Sequence, residues 1–505
     1  MKLFSLAARQ SRCRAGAKIS LVGLLFGFLS SEAPAQNQIK GKWSAPFSWT
    51  NVGIHLHVLP NGKVLYWGRR EWNAANAGPA EGLDPHDCVP RLWDPITGGF
   101  STLPKPGFNL FCAGHTFLTD GRLLAVGGHR FDGRGERKAT IFNFNTGQWK
   151  GVDDMNRGRW YPTAVTLASG DVVVSGGFDE NGQENEVQQV GKDGKWRSIV
   201  SFLGMPFYPR LHLAPDGRVF MAGPTRMTQY LDTNGAGAWE PVGNRLNTAI
   251  ELKEAPSVMF EVGKVIFIGG GDPPQKTAEV IDLNAPNPAW KATGSMKHAR
   301  RHHNATLLPD GTVFVNGGTR GNGFNDLTQP VQEAELWDPI TGQWQVLASE
   351  DTPRLYHSAS VLLPDGRVLS TGGGEYRLDG NNANEVKDSR RNAQIFEPPY
   401  LFKSTAQKPR PQITNAPTDV SYDKVFTVES PQADDVTKVT WVRLSSVTHA
   451  FNASQRINTL AFARTSGGLN VTAPADRNHC PPGHYMLFLL NEDGVPSISR
   501  TIRIQ

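Results

Sequence analysis

Cysteine is scarce in this chain: four residues in 505. No disulfide framework can therefore hold the fold together. Long apolar runs are scarce too. After Leu29 no stretch approaches the length that crosses a bilayer, which excludes a multi-span membrane protein. A strong excess of one charge is missing. Charged residues are 20% of the chain and the formal net charge is +5, which is not the signature of a disordered polyelectrolyte. Low-complexity and collagen-like sequence are absent, although 53 glycines and 35 prolines indicate many turns.

The mild basicity has a local origin. Lys2, Arg9, Arg12, Arg14 and Lys18 precede the apolar run Ile19 to Leu29, and Ala33-Pro34-Ala35 follows it. This is the charged region, apolar region and small-residue cleavage site of a secretory leader. We expect residues 1–35 to be a cleavable signal peptide and the protein to be secreted or periplasmic, with an uncleaved anchor as the alternative. Removing the leader takes the net charge to +1 and the cysteines to three. Nucleic-acid binding then has no electrostatic support, and no stable membrane span remains.

What the chain does have is a repeat. HTFLTDGRLLAVGG, TAVTLASGDVVVSGG, NATLLPDGTVFVNGG and SASVLLPDGRVLSTGG are its clearest copies, and three weaker ones bring the number to seven. The closing glycines fall at 68, 128, 177, 223, 270, 318 and 373, a period of 46 to 60 residues. Asp-Gly or Asn-Gly between alternating apolar runs signals a hairpin. Later strands of the unit carry Trp or Phe, as in RLWDPITGGF and ELWDPITGQW. The period suits kelch repeats better than WD40 repeats. The expected fold is all-β: a seven-bladed kelch-type β-propeller over residues 36–404. Beyond the Pro-rich KSTAQKPRPQITNAP, residues 405–505 read as short alternating strands of an immunoglobulin-like β-sandwich.

The repeat phase also selects candidate functional residues. Cys112, Tyr161, His302 and His357 each lie sixteen residues before the closing glycine of their unit, and Tyr356 is next to His357. These positions share one level of the ring on different blades. Cys112 and Tyr161 are one repeat apart, hence on neighbouring blades at equal height.

The segments FNLFCAGHTF, RGRWYPTAV, TPRLYHSASVLLPDGRVLSTGGG and RLSSVTHAFNASQR, with the tail PPGHYMLFLLNEDGVPSISRTIRI, resemble the copper radical oxidases, the galactose oxidase and glyoxal oxidase family. RWYP resembles the glyoxal oxidase branch more closely. The resemblance implies copper as cofactor, held by Tyr161, Tyr356, His357 and His449. It implies a thioether between Cys112 and Tyr161 and a base role for Tyr356. It implies oxidation of a small primary alcohol or aldehyde with O2 going to H2O2, in a protein expected to be monomeric. His449 lies outside the blade count, so a hairpin of the last domain must enter the central channel to deliver it. Imidazole and phenolate donors with an open position suit Cu(II).

Two features depart from the galactose oxidase pattern. The Trp that covers the linked tyrosine there has Phe178 as its nearest equivalent in GGFDENG, and no counterpart of the N-terminal carbohydrate-binding domain is expected. Phe178, Arg210 in FYPRLHL and Phe324 in GNGFNDL are candidate substrate contacts. His302 and His303 are expected to line the channel as hydrogen-bonders. Cys88 and Cys480 are left to pair or to remain thiols. The competing functions are a non-catalytic kelch-type module that binds glycan or protein, and a metal-free sugar isomerase or lectin on the same scaffold.

Overall fold

The structure is a computed structural model that describes residues 37–69, 88–184, 187–192, 194–202, 204–247, 255–375, 389–403 and 405–505. The leader therefore lies outside the described residues. Among the described residues no helix is long and apolar enough to cross a membrane.

Up to residue 403 the chain folds into successive antiparallel sheets. Each repeat supplies the two strands of a hairpin closed at a glycine and then further strands. In the second repeat Gly114–Phe117 pairs with Leu123–Val126, which pairs with Ala139–Asn143, which pairs with Gln148–Val152. The first two strands of such a unit are buried on both faces, whereas the fourth is largely exposed. That gradient explains why the hairpin reads as continuous apolar sequence and the last strand does not. Neighbouring units pack through their leading strands. Gly114–Phe117 lies beside Thr163–Thr166, which lies beside Leu211–Leu213. Ser257–Glu261 lies beside Arg301–Leu307, then Ser358–Leu362, then His55–Val58.

The first and last of these sheets borrow strands from distant sequence. Lys42–Trp43 and Phe47–Ser48 pair with Asn392–Glu397 in the last sheet. The leading strand of the first sheet, His55–Val58, has Val64–Trp67 on one side and Ser446–Thr448 on the other. The short hairpin Ser446–Thr448 with Phe451–Asn452 thus docks on an edge that the repeat itself leaves open.

The C-terminal segment forms a five-stranded and a three-stranded sheet. A separate core cluster lies between them, built on Trp441, Val428, Leu469, Tyr485 and Leu487. Cys480 belongs to that cluster and Cys88 to the large core of the preceding sheets. No disulfide joins them.

Candidate metal centre

The phase-matched residues share an unusual backbone. Cys112, Tyr161, His302 and His357 all adopt the left-handed conformation, with φ of 61°, 70°, 59° and 66°. Tyr208 (φ 44°) and His449 (φ 46°) do so too. This region costs a non-glycine residue on the order of 1–2 kcal/mol, so its recurrence at one level marks a site that the surrounding structure enforces.

Two devices enforce it. Main-chain hydrogen bonds link consecutive units: the Tyr161 amide donates to Cys112 O (3.0 Å), and the Tyr208 amide donates to Tyr161 O (2.9 Å). Buried arginines just upstream hold the loops. Arg159, Arg300 and Arg354 each donate through Nη1 to the carbonyl of the first glycine of a pair, Gly176, Gly317 and Gly372, at 2.9 to 3.0 Å. Arg300 and Arg354 are paired with the buried Glu335 and Glu350. The glycine is required at these contacts: a Cβ on Gly317 would stand 2.6 Å from Arg354 O. Sequence reading missed all three arginines. Their signal is the recurrence of Arg two or three residues before Tyr161, His302 and His357.

Phenols and imidazoles converge at this level. The Tyr161 and Tyr356 hydroxyls are hydrogen-bonded to each other. His449 Nε2 lies 3.0 Å from the Tyr161 hydroxyl, and its Nδ1 is 2.7 Å from Thr448 Oγ1. His357 stacks on Tyr356 (centroids 3.9 Å apart) and lies 4.7 Å from the His449 ring. Its Nδ1–H donates to Gly374 O at 2.6 Å, which makes Nε2 the lone-pair nitrogen. Cys112 packs in the same buried cluster as Tyr161 and is within side-chain hydrogen-bonding reach of it. Four elements distant in sequence therefore meet here, and His449 arrives on the docked hairpin. His449 sits just beyond Thr448, the residue paired with His55.

Burial dominates the electrostatics. It pushes the Tyr161 phenol well above its ordinary value, with Cys112 and Tyr356 adding to the effect. It pushes the Cys112 thiol up, and it holds His449 well below the usual imidazole range. The imidazole at His449 is thus a neutral donor, and the Tyr161 phenolate requires a cation beside it. A divalent ion meets both requirements. Among the described residues no group of three or more His, Cys, Asp or Glu could hold a metal. The set that fits here is the mixed one: two phenols and two imidazoles, with the oxygen and nitrogen donors that suit Cu(II).

The remaining candidates take different places. Phe178 does not lie on the Tyr161 ring. It packs against Trp160 (6.4 Å between centroids) and Phe207 (4.6 Å). The face of Tyr161 is covered by Trp160, 4.0 Å away at 13°, with Tyr208 also stacked on Tyr161 at 4.7 Å and 28°. The shielding indole expected to be lost is therefore supplied from the adjacent position. Arg210 is only 2% exposed, and its guanidinium donates to the carbonyls of Ala255, Tyr208 and His449. Phe324 is 49% exposed and its ring meets Tyr356 edge-on at 4.5 Å. Its loop is pinned by Arg301 Nη1 donating to Gly323 O (2.7 Å), and Asn325 Oδ1 accepts the Tyr356 amide (3.2 Å). His302 lies 5.1 Å from Tyr356. His302 and His303 are buried, and burial holds both imidazoles well below their usual range.

Comparison with known proteins agrees with this geometry. Residues 271–400 match the glyoxal oxidase N-terminus family model, and residues 410–504 match the galactose oxidase-like early set domain. Galactose oxidase from Gibberella zeae is 29% identical, over 94% of this chain and 72% of its own length. Aldehyde oxidase GLOX from Vitis pseudoreticulata is 27% identical, over 90% of this chain and 91% of its own. A solved fungal alcohol oxidase of the AA5 family, in complex with copper, superposes with a TM-score of 0.80 at 26% identity, covering 92% of this chain and 99% of that one. The C-terminal sheets are accordingly an early-set β-sandwich. Sequence, architecture and the phenol–imidazole cluster agree: over nine-tenths of its length the chain is similar to galactose oxidase, to aldehyde oxidase GLOX and to a copper-containing alcohol oxidase.

Proposed function

We propose that this protein is an exported copper radical oxidase that converts a primary alcohol or an aldehyde to its oxidised product while O2 becomes H2O2. The observation that carries the reading is the meeting of Tyr161, Tyr356 and His449 beside Cys112, with Cys112, Tyr161 and His449 on strained backbone. Tyr161, Tyr356, His357 and His449 are the copper donors in this reading. Copper bound there supplies one electron equivalent and a Lewis acid for the substrate oxygen. The second equivalent belongs to Tyr161. A thioether to Cys112 makes its ring easier to oxidise, and Trp160 keeps water from one face. Tyr356 takes the substrate hydroxyl proton as general base. Phe324, half exposed beside Tyr356, gives the entrance an apolar wall for the carbon skeleton of the substrate.

The remaining organisation follows. Residues 1–35 are the leader and 405–505 the β-sandwich. Residues 36–404 form a seven-bladed kelch-type propeller. The side-by-side leading strands and the strand exchange at the two ends of the blade series support a closed ring. The mature protein is a monomer without a membrane span.

The test is peroxide release from copper-loaded mature protein across glyoxal, methylglyoxal, glycerol, galactose and benzylic alcohols. Peroxide from at least one member, abolished by Tyr161→Phe, is expected. Silence of the fully loaded protein on the whole panel overturns the reading.

A further inference from the structure

Below the metal centre lies a set of buried groups that the oxidation chemistry does not use. His55 and His57 alternate with Leu56 on the strand His55–Val58, so their side chains share a face. His115 comes from Gly114–Phe117 and Ser446 from the docked C-terminal hairpin. All four are buried. They are joined in series: the Cys112 amide donates to His55 Nε2 (3.2 Å), His55 Nδ1 is 3.0 Å from His115 Nε2, and His115 Nδ1 is 2.6 Å from Ser446 Oγ. His57 Nδ1 approaches the same hydroxyl at 3.1 Å.

The series has a direction. A backbone amide can only donate, so His55 Nε2 must accept and the proton of a neutral His55 sits on Nδ1. That proton points at His115 Nε2, which places the His115 proton on Nδ1, donating to Ser446. One tautomer of each ring satisfies every bond. The receiving end is the amide of Cys112, a non-glycine residue at φ 61° in the turn Leu110–Ala113. An acceptor fixed there holds the turn in the one conformation that turns the thiol toward Tyr161.

We propose that His55 is the positioning residue for Cys112, and that through His115 and Ser446 the C-terminal hairpin sets the cysteine for thioether formation. The inference rests on the oxidase reading above. In the step it governs, the Cys112 S–H and a Tyr161 ring C–H bond break and the C–S bond forms. The two hydrogens, with their two electrons, go to O2 to give H2O2. His55 touches none of the reacting atoms. Its contribution is the fraction of time the thiol spends aimed at the ring.

The test follows linking in the full mature chain, prepared without copper and then given copper and air. Mass spectrometry measures the Cys112–Tyr161 linked peptide against time, and bound copper is measured in parallel. His55→Phe keeps a ring against Trp67, now stacked at 5.0 Å, but offers no acceptor. It should bind copper with unchanged stoichiometry and link roughly tenfold more slowly, as loss of one buried hydrogen bond implies. His55→Gln, whose amide oxygen restores an acceptor, should recover much of the rate. If His55→Phe does not fold, Ser446→Ala decides, with slower linking expected because His115 loses the hydroxyl that anchors its Nδ1 and with it the hold on His55. Linking at the parental rate in the folded variant overturns the inference alone. Failure of the parent chain to link at all overturns the oxidase reading with it.

Discussion

The indole of Trp160 lies face to face with the phenol of Tyr161, 4.0 Å away and within 13° of parallel. Adjacent residues rarely stack. Here the left-handed Tyr161 (φ 70°) folds the chain back on itself. In the proposed function, this stack shields the ring that is oxidised by one electron. Trp160→Leu should leave the linked peptide intact and shorten the lifetime of the oxidised protein. Decay of its visible absorption after ferricyanide oxidation measures this; an unchanged lifetime contradicts the role.

Phe324 is expected to act on substrate choice and not on the cofactor. Its ring is half exposed and touches Tyr356 at 4.5 Å. Phe324→Ala should lower kcat/KM for apolar alcohols by about 5- to 150-fold, because about 1–3 kcal/mol of apolar contact is lost. Copper content and linked fraction should be unchanged. Equal losses on a small hydrophilic aldehyde and a benzylic alcohol would argue against this role.

Arg354 carries the loop of Tyr356 and His357. Its guanidinium bonds Glu350, Gly372 O and Asn392, and it is 1% exposed. Removing one member of such a buried pair leaves an uncompensated charge. Arg354→Met should destabilise the fold by about 3–5 kcal/mol, read as a lowered urea midpoint.

Stability should fall on the acid side. Burial holds His115 and His212 at about 3, against 6.5 for the free side chain. The folded protein keeps these rings neutral while the unfolded chain protonates them. Their destabilising effect is absent above pH 6.5 and grows as pH falls from 6.5 toward 3. The slope is about 1.4 kcal/mol per pH unit for each histidine. Urea midpoints at about pH 7 and about pH 5 should differ markedly. Equal midpoints would show that these rings are hydrated.

Much of this site is legible in one sequence because the repeat supplies a ruler. Counting sixteen back from a glycine finds Cys112, Tyr161 and His357, and the same count predicts their common backbone conformation once one member is seen. The ruler fails where contacts are not periodic. Phe178 seemed the natural cover for Tyr161 because its segment follows the glycine pair. The cover is Trp160, since a single left-handed residue reverses the usual rule that neighbours point apart. Arg210, a candidate substrate contact from its segment FYPRLHL, spends its guanidinium on the buried carbonyls of Ala255, Tyr208 and His449, which need a donor. Pairing of Ser446–Thr448 with His55–Val58 spans almost four hundred positions, and no local pattern announces it.

That pairing, with the pairing of Lys42–Trp43 onto Asn392–Glu397, sets how the molecule fails. Neither end of the blade series can fray alone, because each is held in a sheet whose other strands come from distant parts of the chain. Opening requires several long-range contacts to break together, so the barrier to unfolding is high and the folding search is slow. Persistence is then governed by an unfolding rate more than by an equilibrium constant. A protein that releases peroxide beside its own strands gains most from durability of that kind.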